Sequence, residues 1–322
     1  MRALQVEAFA DPKSLRVSEL PERAPGKGEV KLRMGGVGIG YFDGLLVKGE
    51  YQIKPPLPFV PGSSISGIVE EVGEGVTHLK AGDHIAGFAL LGGLAEKITL
   101  SAASCFPIPK NIALEDAANF FVAYATGLYG LRECGRLQPG ETVLVLGASG
   151  TTGSTAIEIA KAMGARVIAA ASTEAKRERC KQAGADVTVD SSTDDWRNQV
   201  KAVMGRGVNV VYDPVGGEFT EQALRLMAPG GRHLVVGFVT GISKIPTNLL
   251  LLKRCAIMGV NWGGETMENP GIVPPVIQQL VEWTLAGRLK TQPDHVYPLE
   301  QTGDAFESIF NRSSSGKIVI VP

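Results

Sequence analysis

Cysteine and histidine are scarce in this chain of 322 residues. The four cysteines are widely spaced, and no two of them form a Cys-x-x-Cys pair: Cys105, Cys134, Cys180 and Cys255. This spacing argues against a disulfide framework and against a structural zinc lobe. The four histidines show no ligand spacing among themselves: His78, His84, His233 and His295. We therefore expect free thiols in a reducing compartment.

Long apolar runs and an excess of charge are also missing. The longest apolar runs, such as the one ending at Leu252, are far too short to cross a bilayer. The formal net charge is −1, which indicates neither a nucleic-acid partner nor a membrane surface. The opening MRALQVEAFADP lacks the cationic and then apolar plan of a signal peptide. We expect a cytoplasmic protein that binds neither nucleic acid nor a membrane.

Glycine is abundant, with 40 residues, as is typical of chains with many tight turns between strands and helices. The stretch Glu141–Gly153, ETVLVLGASGTTG, is the most informative one. Its apolar run Val143–Leu146 predicts a strand buried on both faces. A glycine turn follows, and apolar spacing then predicts a helix over Thr155–Met163.

Strand, glycine turn and helix in this order form the arrangement that binds a dinucleotide. The turn lets the backbone approach a pyrophosphate, and the helix N-terminus supplies N–H groups and partial positive charge. The alternative is a tight turn with no ligand. The candidate cofactor contacts are Gly147, Ser149, Gly150, Thr151, Thr152 and Gly153.

The fold class predicted is α/β with two domains. Residues 1–100 contain short, partly alternating segments and no convincing long helix, which indicates a β-rich domain. Repeated strand–helix units then predict a doubly wound parallel sheet of the Rossmann type over 124–260. The later pieces, a helix over Val273–Leu285 and a strand over Lys317–Val321, most simply complete the first domain. We therefore predict a discontinuous domain of residues 1–123 and 261–322.

The end of the second strand of the Rossmann domain indicates which dinucleotide binds. An NAD site carries an acidic residue there for the ribose 2′-hydroxyl. This strand ends in Ala170, Ala171 and Ser172, with no acid. Ser172 can donate to a 2′-phosphate, and Lys176 and Arg177 add positive charge one turn later. NADP(H) is therefore predicted; the alternative is that the two basic residues only form a solvated helix face.

The chain resembles the zinc-independent quinone oxidoreductases, the zeta-crystallin-like family of the medium-chain dehydrogenase/reductase superfamily. The matching stretches spread over nearly the whole chain: PPLPFVPGSSISGIVEEVGEGVTHLKAGD (55–83), FVAYATGLYGL (121–131), the glycine turn (147–153), VVYDPVGGE (210–218), APGGRHLVVGF (228–238) and IPTNLLLLKRCAIMGVNWG (245–263). The resemblance implies a GroES-like β-rich domain around the Rossmann domain, a cofactor in the cleft between them, and a homodimer.

The chain departs from the zinc-dependent branch of that superfamily at three positions. Gly40 stands where that branch has Cys, Ser63 where it has His, and Val122 near a further ligand. None of the three can bind zinc in that role, so we expect no metal. Without such a Lewis acid, quinones and activated enones are the acceptors that fit best.

The resemblance also implies site residues. Tyr51 matches a tyrosine of the substrate cleft, as hydrogen-bond donor to the acceptor oxygen or as a wall. Tyr41 follows Gly40, the position at which many relatives carry an active-site Asn. Tyr41 either compensates for the polar contact that is lost at Gly40 or serves only in packing. Further candidates, each with a packing or solvent alternative, are Tyr124 and Thr126 beside the nicotinamide, Asp213 and Val215, the loop residues Phe238 and Val239, Trp262 at the cleft or a dimer edge, and Lys317.

The function expected is hydride transfer from NADPH to a quinone or activated enone without zinc. One alternative is reduction of α,β-unsaturated thioesters or of specific enones. The alternative from another class is an NADPH-binding protein with little turnover, similar to lens crystallins or to RNA-binding relatives.

Overall fold

The computed structural model describes all 322 residues, Met1–Pro322. Contacts within the chain divide it into two units. The first unit comprises Met1–Val122 together with Thr291–Pro322, and the second comprises Ala123–Lys290. Each unit is described separately.

The first unit is built mainly from strands. Its helices are α1 (Tyr41–Lys48), α2 (Leu114–Ala117) and, near the C-terminus, α11 (Thr302–Phe310). Its strands are β1 (Arg2–Leu4), β2 (Val17–Glu19), β3 (Glu29–Ile39), β4 (Ser64–Val72), β5 (His84–Phe88), β6 (Lys97–Ser101), β7 (Cys105–Ile108), β14 (His295–Pro298) and β15 (Ile318–Val321).

A seven-stranded sheet runs in the order β14-β15-β3-β4-β5-β7, with β6 paired to β3. Most of its pairs are antiparallel. Inward-facing residues such as Leu32, Ile65 and Ile85 are fully buried and form its core. The predicted strands in residues 1–100 and the closing strand are therefore present.

Helix α1 was not identified from the sequence, which indicated only that residues 1–100 contain no convincing long helix; α1 has eight residues. The segment YFDGLLVK is short and contains Gly44, so its helical pattern is weak. It forms because Asp43 binds the amide of Gly40 at the helix start, and because Gly49 ends the helix in the left-handed conformation with φ 67°. Leu46 and Val47 are buried.

The second unit carries six parallel strands in the order β10-β9-β8-β11-β12-β13. This is the Rossmann order, in which the direction of winding reverses between β8 and β11. The strands are β8 (Thr142–Val145), β9 (Arg166–Ala171), β10 (Val187–Asp190), β11 (Val208–Asp213), β12 (Met227–Val235) and β13 (Ala256–Gly259).

Helices connect and flank these strands. They are α3 (Ala125–Leu128), α4 (Thr151–Ala162), α5 (Glu174–Gln182), α6 (Trp196–Val203), α7 (Gly217–Leu224), α8 (Asn248–Lys253), α9 (Trp262–Glu268) and α10 (Val273–Leu285). The apolar segment 120–134 is also helical, with π-helical turns at Phe120–Tyr124 and Tyr129–Cys134 on either side of α3.

Two boundaries differ from the predicted ones. Helix α4 starts at Thr151 rather than Thr155, directly after the glycine turn. Residues 261–290 lie in the second unit, whereas the sequence analysis assigned them to the first. Their helix α10 buries Val276 and Leu280 and packs on α3, which belongs to the second unit. Amphipathic spacing shows that a helix has an apolar face, but not which domain covers it.

Candidate active site

The glycine turn lies at the carboxyl end of β8, beside the end of β11. Gly147 has φ +54°, a left-handed conformation that favours glycine. A Cβ at Gly147 would lie 2.9 Å from Cγ2 of Val215. Since β8 and β11 flank the point where the winding reverses, the turn occupies the edge at which open α/β sheets bind ligands.

Helix α4 begins without a side-chain cap. Gly150 is its N-cap residue and makes no side-chain hydrogen bond, because it has no side chain. A Cβ at Gly153 would clash with the carbonyl oxygen of Gly147 and lie 2.7 Å from Cα of Ala148, so this glycine permits close packing of helix and turn. The N-terminus of a twelve-residue helix thus follows directly on the turn, and a helix N-terminus favours an anion.

The other predicted residues of this turn differ in exposure. Ser149 is buried, while Thr151 and Thr152 are partly exposed in the first turn of α4. The carbonyl oxygens of Thr151 and Thr152 accept hydrogen bonds from the hydroxyls of Ser154 and Thr155, both at 3.1 Å. These bonds hold the backbone of the first turn in place.

The end of β9 presents Ser172, which is partly exposed. Thr173 caps α5 by accepting a hydrogen bond from the amide of Lys176 at 3.3 Å. Arg177, which the sequence analysis considered as a second positive charge, lies 2.9 Å from Oδ2 of Asp190. Arg177 therefore forms an ion pair with Asp190 of β10, and Lys176, one residue earlier, is partly exposed.

Asp213 was predicted to contact the cofactor, but its carboxylate is enclosed by the protein. It is 0% exposed. Oδ1 accepts hydrogen bonds from the amides of Val215 and Gly216, both at 2.9 Å. Oδ2 accepts from Oγ1 of Thr220 at 2.6 Å and lies 2.9 Å from Nε2 of His233. Asp213 thus shapes the loop after β11 and has no free oxygen for a ligand.

Electrostatics support this structural role for Asp213. Burial by itself raises the pKa of the Asp213 carboxyl. The contact with His233 and the hydrogen bonds from Thr220 and Gly216 outweigh burial and lower that pKa below its usual value. The carboxylate is therefore charged at neutral pH and acts as a fixed acceptor.

The loop after β12 lies against the loop after β11. The amides of Val236 and Thr240 donate to the carbonyl oxygens of Asp213 and Val215, each at 2.9 Å. Between them Phe238 is 48% exposed, and Val239 is partly exposed. The structure thus gathers the predicted loop residues at one edge of the sheet.

Tyr124, predicted to lie beside the nicotinamide or to pack, is fully buried. Its hydroxyl donates to Oε2 of Glu158 at 2.8 Å, and the same oxygen accepts from the amide of Lys290 at 2.8 Å. Tyr124 therefore packs inside the second unit. Thr126, on the next turn, is partly exposed. Trp262 is also buried, 5.5 Å from the ring of Tyr129, and so does not form an exposed wall.

Tyr51 and Tyr41 lie in the first unit. The ring of Tyr51 packs edge-on against Phe42 at 4.6 Å. Partial burial raises the pKa of the Tyr51 hydroxyl, so the group stays neutral and can donate a hydrogen bond. Tyr41 begins α1, and its ring packs edge-on against Phe310 at 5.0 Å.

Asp43 is a site residue that the sequence analysis missed. It is 3% exposed, and Oδ2 accepts from the amide of Gly40 at 2.9 Å. Burial raises the pKa of Asp43 to about 6, against hydrogen bonds from Gly40 and Ser63 that lower it. The signal for Asp43 in the sequence is its position three residues after Gly40, the N-cap residue of α1. The sequence analysis did not identify α1 and so did not identify this signal.

Lys317 does not point into solvent, because it is 2% exposed. Its amide donates to Oδ2 of Asp294 at 2.7 Å. A Cβ at the preceding Gly316 would clash with the same carboxylate. Close packing at this Gly–Lys pair holds Lys317 at the start of β15.

Comparison with known proteins was made on both sequence and structure. Residues 26–110 match the alcohol dehydrogenase GroES-like domain, and residues 151–281 match the zinc-binding dehydrogenase domain. Rat quinone oxidoreductase-like protein 2 is 37% identical over 309 residues, covering 95% of this chain and 88% of the relative. The chain belongs to the quinone oxidoreductase family of the medium-chain dehydrogenase/reductase superfamily.

Solved structures of this superfamily agree with the assignment. Escherichia coli quinone oxidoreductase complexed with NADPH superposes with a TM-score of 0.92 at 26% identity, covering 100% of both chains. The enoyl reductase CurK superposes with a TM-score of 0.89 at 26% identity, covering 99% of this chain and 98% of the other. The predicted fold, a GroES-like domain with a Rossmann domain, is confirmed, and the protein is an oxidoreductase.

Gly40, Ser63 and Val122 stand at or near the positions where the zinc-dependent branch of the superfamily binds its metal. Gly40 and Ser63 both approach the carboxyl group of Asp43. The amide of Val122 lies 3.3 Å from Oγ of Ser64, next to Ser63. The three positions therefore belong to one region of the first unit, but glycine, serine and valine side chains do not form a zinc-binding set. No group of three or more His, Cys, Asp or Glu residues is arranged to hold a metal ion.

No helix in this family member combines the length and the apolar character needed to cross a membrane. The exposed apolar side chains lie on several helices, strands and loops. Among them, Leu251 and Leu252 on α8 are 79% and 72% exposed.

Proposed function

We propose that this chain is an NADPH-dependent reductase that transfers hydride to a quinone or an activated enone without zinc. The glycine turn between β8 and α4 is the observation that carries the proposal. It combines a left-handed Gly147, a helix start with no side chain at Gly150 and close packing at Gly153. This turn suits the pyrophosphate of a dinucleotide, because the backbone can approach it and the helix N-terminus favours an anion.

The 2′-phosphate would be held at the end of β9. Ser172 supplies a hydroxyl donor and Lys176 a positive charge, and no acidic side chain on the strand repels a phosphate. Arg177 takes no part, because it pairs with Asp190. When bound, NADPH supplies the hydride, and the residues of this chain supply position and charge.

On the acceptor side we assign the hydrogen-bond donor to Tyr51. Its hydroxyl has no hydrogen-bonding partner within the protein and is neutral at physiological pH, so it can donate to a carbonyl oxygen that gains negative charge as hydride arrives. Tyr41 packs beside Phe310 and supports the start of α1. Zinc is not required for this chemistry, because a quinone or enone oxygen needs a donor rather than a strong Lewis acid.

The proposal is tested by following NADPH oxidation optically with four acceptors: a benzoquinone, a naphthoquinone, an enone and an aliphatic aldehyde. NADH is run in parallel, and a chelator is added to one set. We expect quinone turnover that prefers NADPH and is insensitive to the chelator. Loss of activity with the chelator would contradict the zinc-free mechanism, and a preference for NADH would contradict the assignment of Ser172 and Lys176.

The similarity to an enoyl reductase favours a second candidate, the reduction of α,β-unsaturated thioesters or specific enones. Turnover of an enone with no turnover of quinones would select it. Tight NADPH binding with no turnover of any acceptor would instead favour a binding protein of the crystallin type.

We further propose a homodimer formed along β13, the edge strand of the parallel sheet. Its unpaired backbone groups and the exposed Leu251 and Leu252 are features that a partner strand would cover. Sedimentation of the wild type and of a Leu251→Glu variant tests this, since only the variant should be monomeric. The cysteines are all free thiols, which supports the predicted reducing, cytoplasmic setting.

A further inference from the structure

Glu158 is a buried carboxylate on α4, the helix that follows the glycine turn. Its side chain is 3% exposed. Oε2 of Glu158 accepts two hydrogen bonds at 2.8 Å, one from the hydroxyl of Tyr124 and one from the amide of Lys290. The Tyr124 hydroxyl also lies 3.3 Å from the carbonyl oxygen of Lys290. Glu158 therefore joins α4 to two segments that are distant from it in sequence.

Burial of apolar surface does not explain a carboxylate at this position. Moving a carboxylate out of water costs free energy, and well-packed apolar residues in place of a buried charged group often stabilise a protein at least as well. The residues on either side of Glu158 in α4, Ile157 and Ile159, are apolar and fully buried. What Glu158 supplies, and an apolar side chain does not, is a directional acceptor. The carboxylate therefore fixes the geometry of its two donors.

The segment Ala123–Leu128, which contains Tyr124, also contacts α4 near the start of that helix. Oγ1 of Thr155 donates to the carbonyl oxygen of Ala123 at 3.4 Å and to the carbonyl oxygen of Thr152 at 3.1 Å. A Cβ at Gly127 would lie 3.6 Å from a side-chain atom of α4. Thr152 is the second residue of α4, so the segment begins within about one helical turn of the glycine turn.

Beyond this segment the chain packs on the half of the sheet that contains β11 and β13. A Cβ at Gly130 would lie 3.2 Å from Cγ1 of Val260, directly after β13, and 3.4 Å from Cε2 of Tyr212 on β11. A dinucleotide on a Rossmann sheet places one mononucleotide on each half. The proposed 2′-phosphate site at Ser172 is on the other half, at the end of β9. Residues 123–130 therefore pack on the half that is left for the nicotinamide.

We propose that Glu158 is a positioning residue that holds the segment Ala123–Leu128 in place for the nicotinamide of NADPH. Helix α4 then sets both parts of the cofactor, the pyrophosphate through its N-terminus and the nicotinamide through Glu158. Thr126 is partly exposed, whereas the other residues of the segment are buried, so Thr126 is the side chain that can contact the nicotinamide. This inference rests on the proposed function, and Glu158 acts through the segment without contacting the cofactor.

The test compares the binding of NADP⁺ with that of 2′-phospho-ADP-ribose, which lacks only the nicotinamide. Both ligands are titrated calorimetrically into the wild type and three variants. Glu158→Ala should weaken NADP⁺ binding about tenfold and 2′-phospho-ADP-ribose binding less than about twofold. Glu158→Gln keeps an acceptor oxygen and should restore most of the NADP⁺ affinity. Tyr124→Phe loses one donor and should weaken NADP⁺ binding by about threefold.

Val200→Ala is the matched control for lost stability. Val200 is fully buried on α6, which packs on β10, so this variant loses core packing without changing α4 or the segment Ala123–Leu128. It should bind both ligands as the wild type does. Thermal unfolding establishes that each variant is folded at the temperature of the titration. If Glu158→Ala does not fold, Tyr124→Phe carries the test.

Two results would overturn the inference. Equal losses for the two ligands in the variants would mean that Glu158 supports the fold or the pyrophosphate site only. Unchanged NADP⁺ affinity in folded Glu158→Ala would mean that the segment does not depend on this carboxylate, and the same holds for Tyr124→Phe where it carries the test.

The binding contrast does not require turnover, so it separates this inference from the proposed function. If the wild type reduces no acceptor, the proposed function fails, and the contrast between NADP⁺ and 2′-phospho-ADP-ribose is still expected. If the wild type binds the two ligands equally well, the nicotinamide gains nothing from the segment. The inference then fails even where quinones are reduced.

Discussion

Oδ2 of Asp213 and Nε2 of His233 lie 2.9 Å apart on the neighbouring strands β11 and β12, and both side chains are 0% exposed. In the parallel register Val211 pairs with His233. Asp213 lies two residues after Val211, so the side chains of Asp213 and His233 are on the same face of the sheet. The contact joins the loop at the end of β11 to the strand that leads into the next loop. The two loops that carry Val215 and Phe238 therefore depend on one buried pair.

We expect Asp213→Asn to destabilise the protein by about 3 kcal/mol, because it removes the charge of a buried, fully hydrogen-bonded carboxylate. The folded pKa of Asp213 is lowered, so its stabilisation is fully present above the unfolded pKa of about 4 and is lost as pH falls through the folded value. Urea unfolding of wild type and variant between pH 7 and pH 3.5 measures this. A stability difference that stays constant across the whole range would contradict the assignment.

Alanine at Gly153 should lower stability, whereas alanine at Gly150 should weaken NADPH binding. Gly153→Ala forces a Cβ against Gly147 and Ala148 and should lower the free energy of unfolding by about 1–3 kcal/mol. Gly150→Ala places its Cβ 3.7 Å from the nearest protein atom, the oxygen of Gly147, so stability should hold while NADPH binding weakens. Denaturation and NADPH titration of both variants measure the contrast. Unchanged NADPH affinity in G150A would argue against a phosphate over this turn.

Ser172→Asp should reverse the cofactor preference. A carboxylate at the end of β9 repels a 2′-phosphate and can accept from a ribose 2′-hydroxyl. We expect the ratio of kcat/KM for NADPH to that for NADH to fall by about 100-fold, through loss of a charge-assisted contact and added repulsion. Lys176→Ala should change the ratio in the same direction but less.

The matched control for that series is Arg177→Ala. Arg177 pairs with Asp190, so its removal should reduce stability slightly and leave the cofactor ratio near the wild-type value. A larger change in R177A than in K176A would mean that Arg177, and not Lys176, faces the phosphate.

Tyr51→Phe should lower kcat/KM for a quinone by about 100-fold, because it removes the one donor assigned to the developing oxygen charge. Stability should change by less than about 0.5 kcal/mol, since the hydroxyl has no partner in the protein and only the ring packs on Phe42. Tyr41→Phe is the control and should retain most activity. Equal kinetics for Y51F and wild type would remove Tyr51 from the reaction.

Much of the second unit could be predicted from the sequence alone. Buried parallel strands appear in the sequence as short apolar runs, so the strand predicted over Val143–Leu146 lies within a residue of the observed β8. The glycine turn was recognisable because the lack of a side chain at Gly147 and Gly153 is a local property of the backbone. Helix α1 was missed because its eight residues include Gly44 and so give only a weak helical pattern.

The sequence by itself determined the fold class, the family and the position of the glycine turn, because apolar periodicity and glycine spacing are local properties of the chain. Only the tertiary structure decided which polar groups are available to a ligand. Asp213 and Tyr124 match site positions, yet both are buried with partners far along the chain, His233 and Glu158. Arg177 looks like a solvated basic residue in the sequence, yet it forms an ion pair with Asp190 of the neighbouring strand. A side chain's partners depend on the packing of distant segments, which no local pattern encodes.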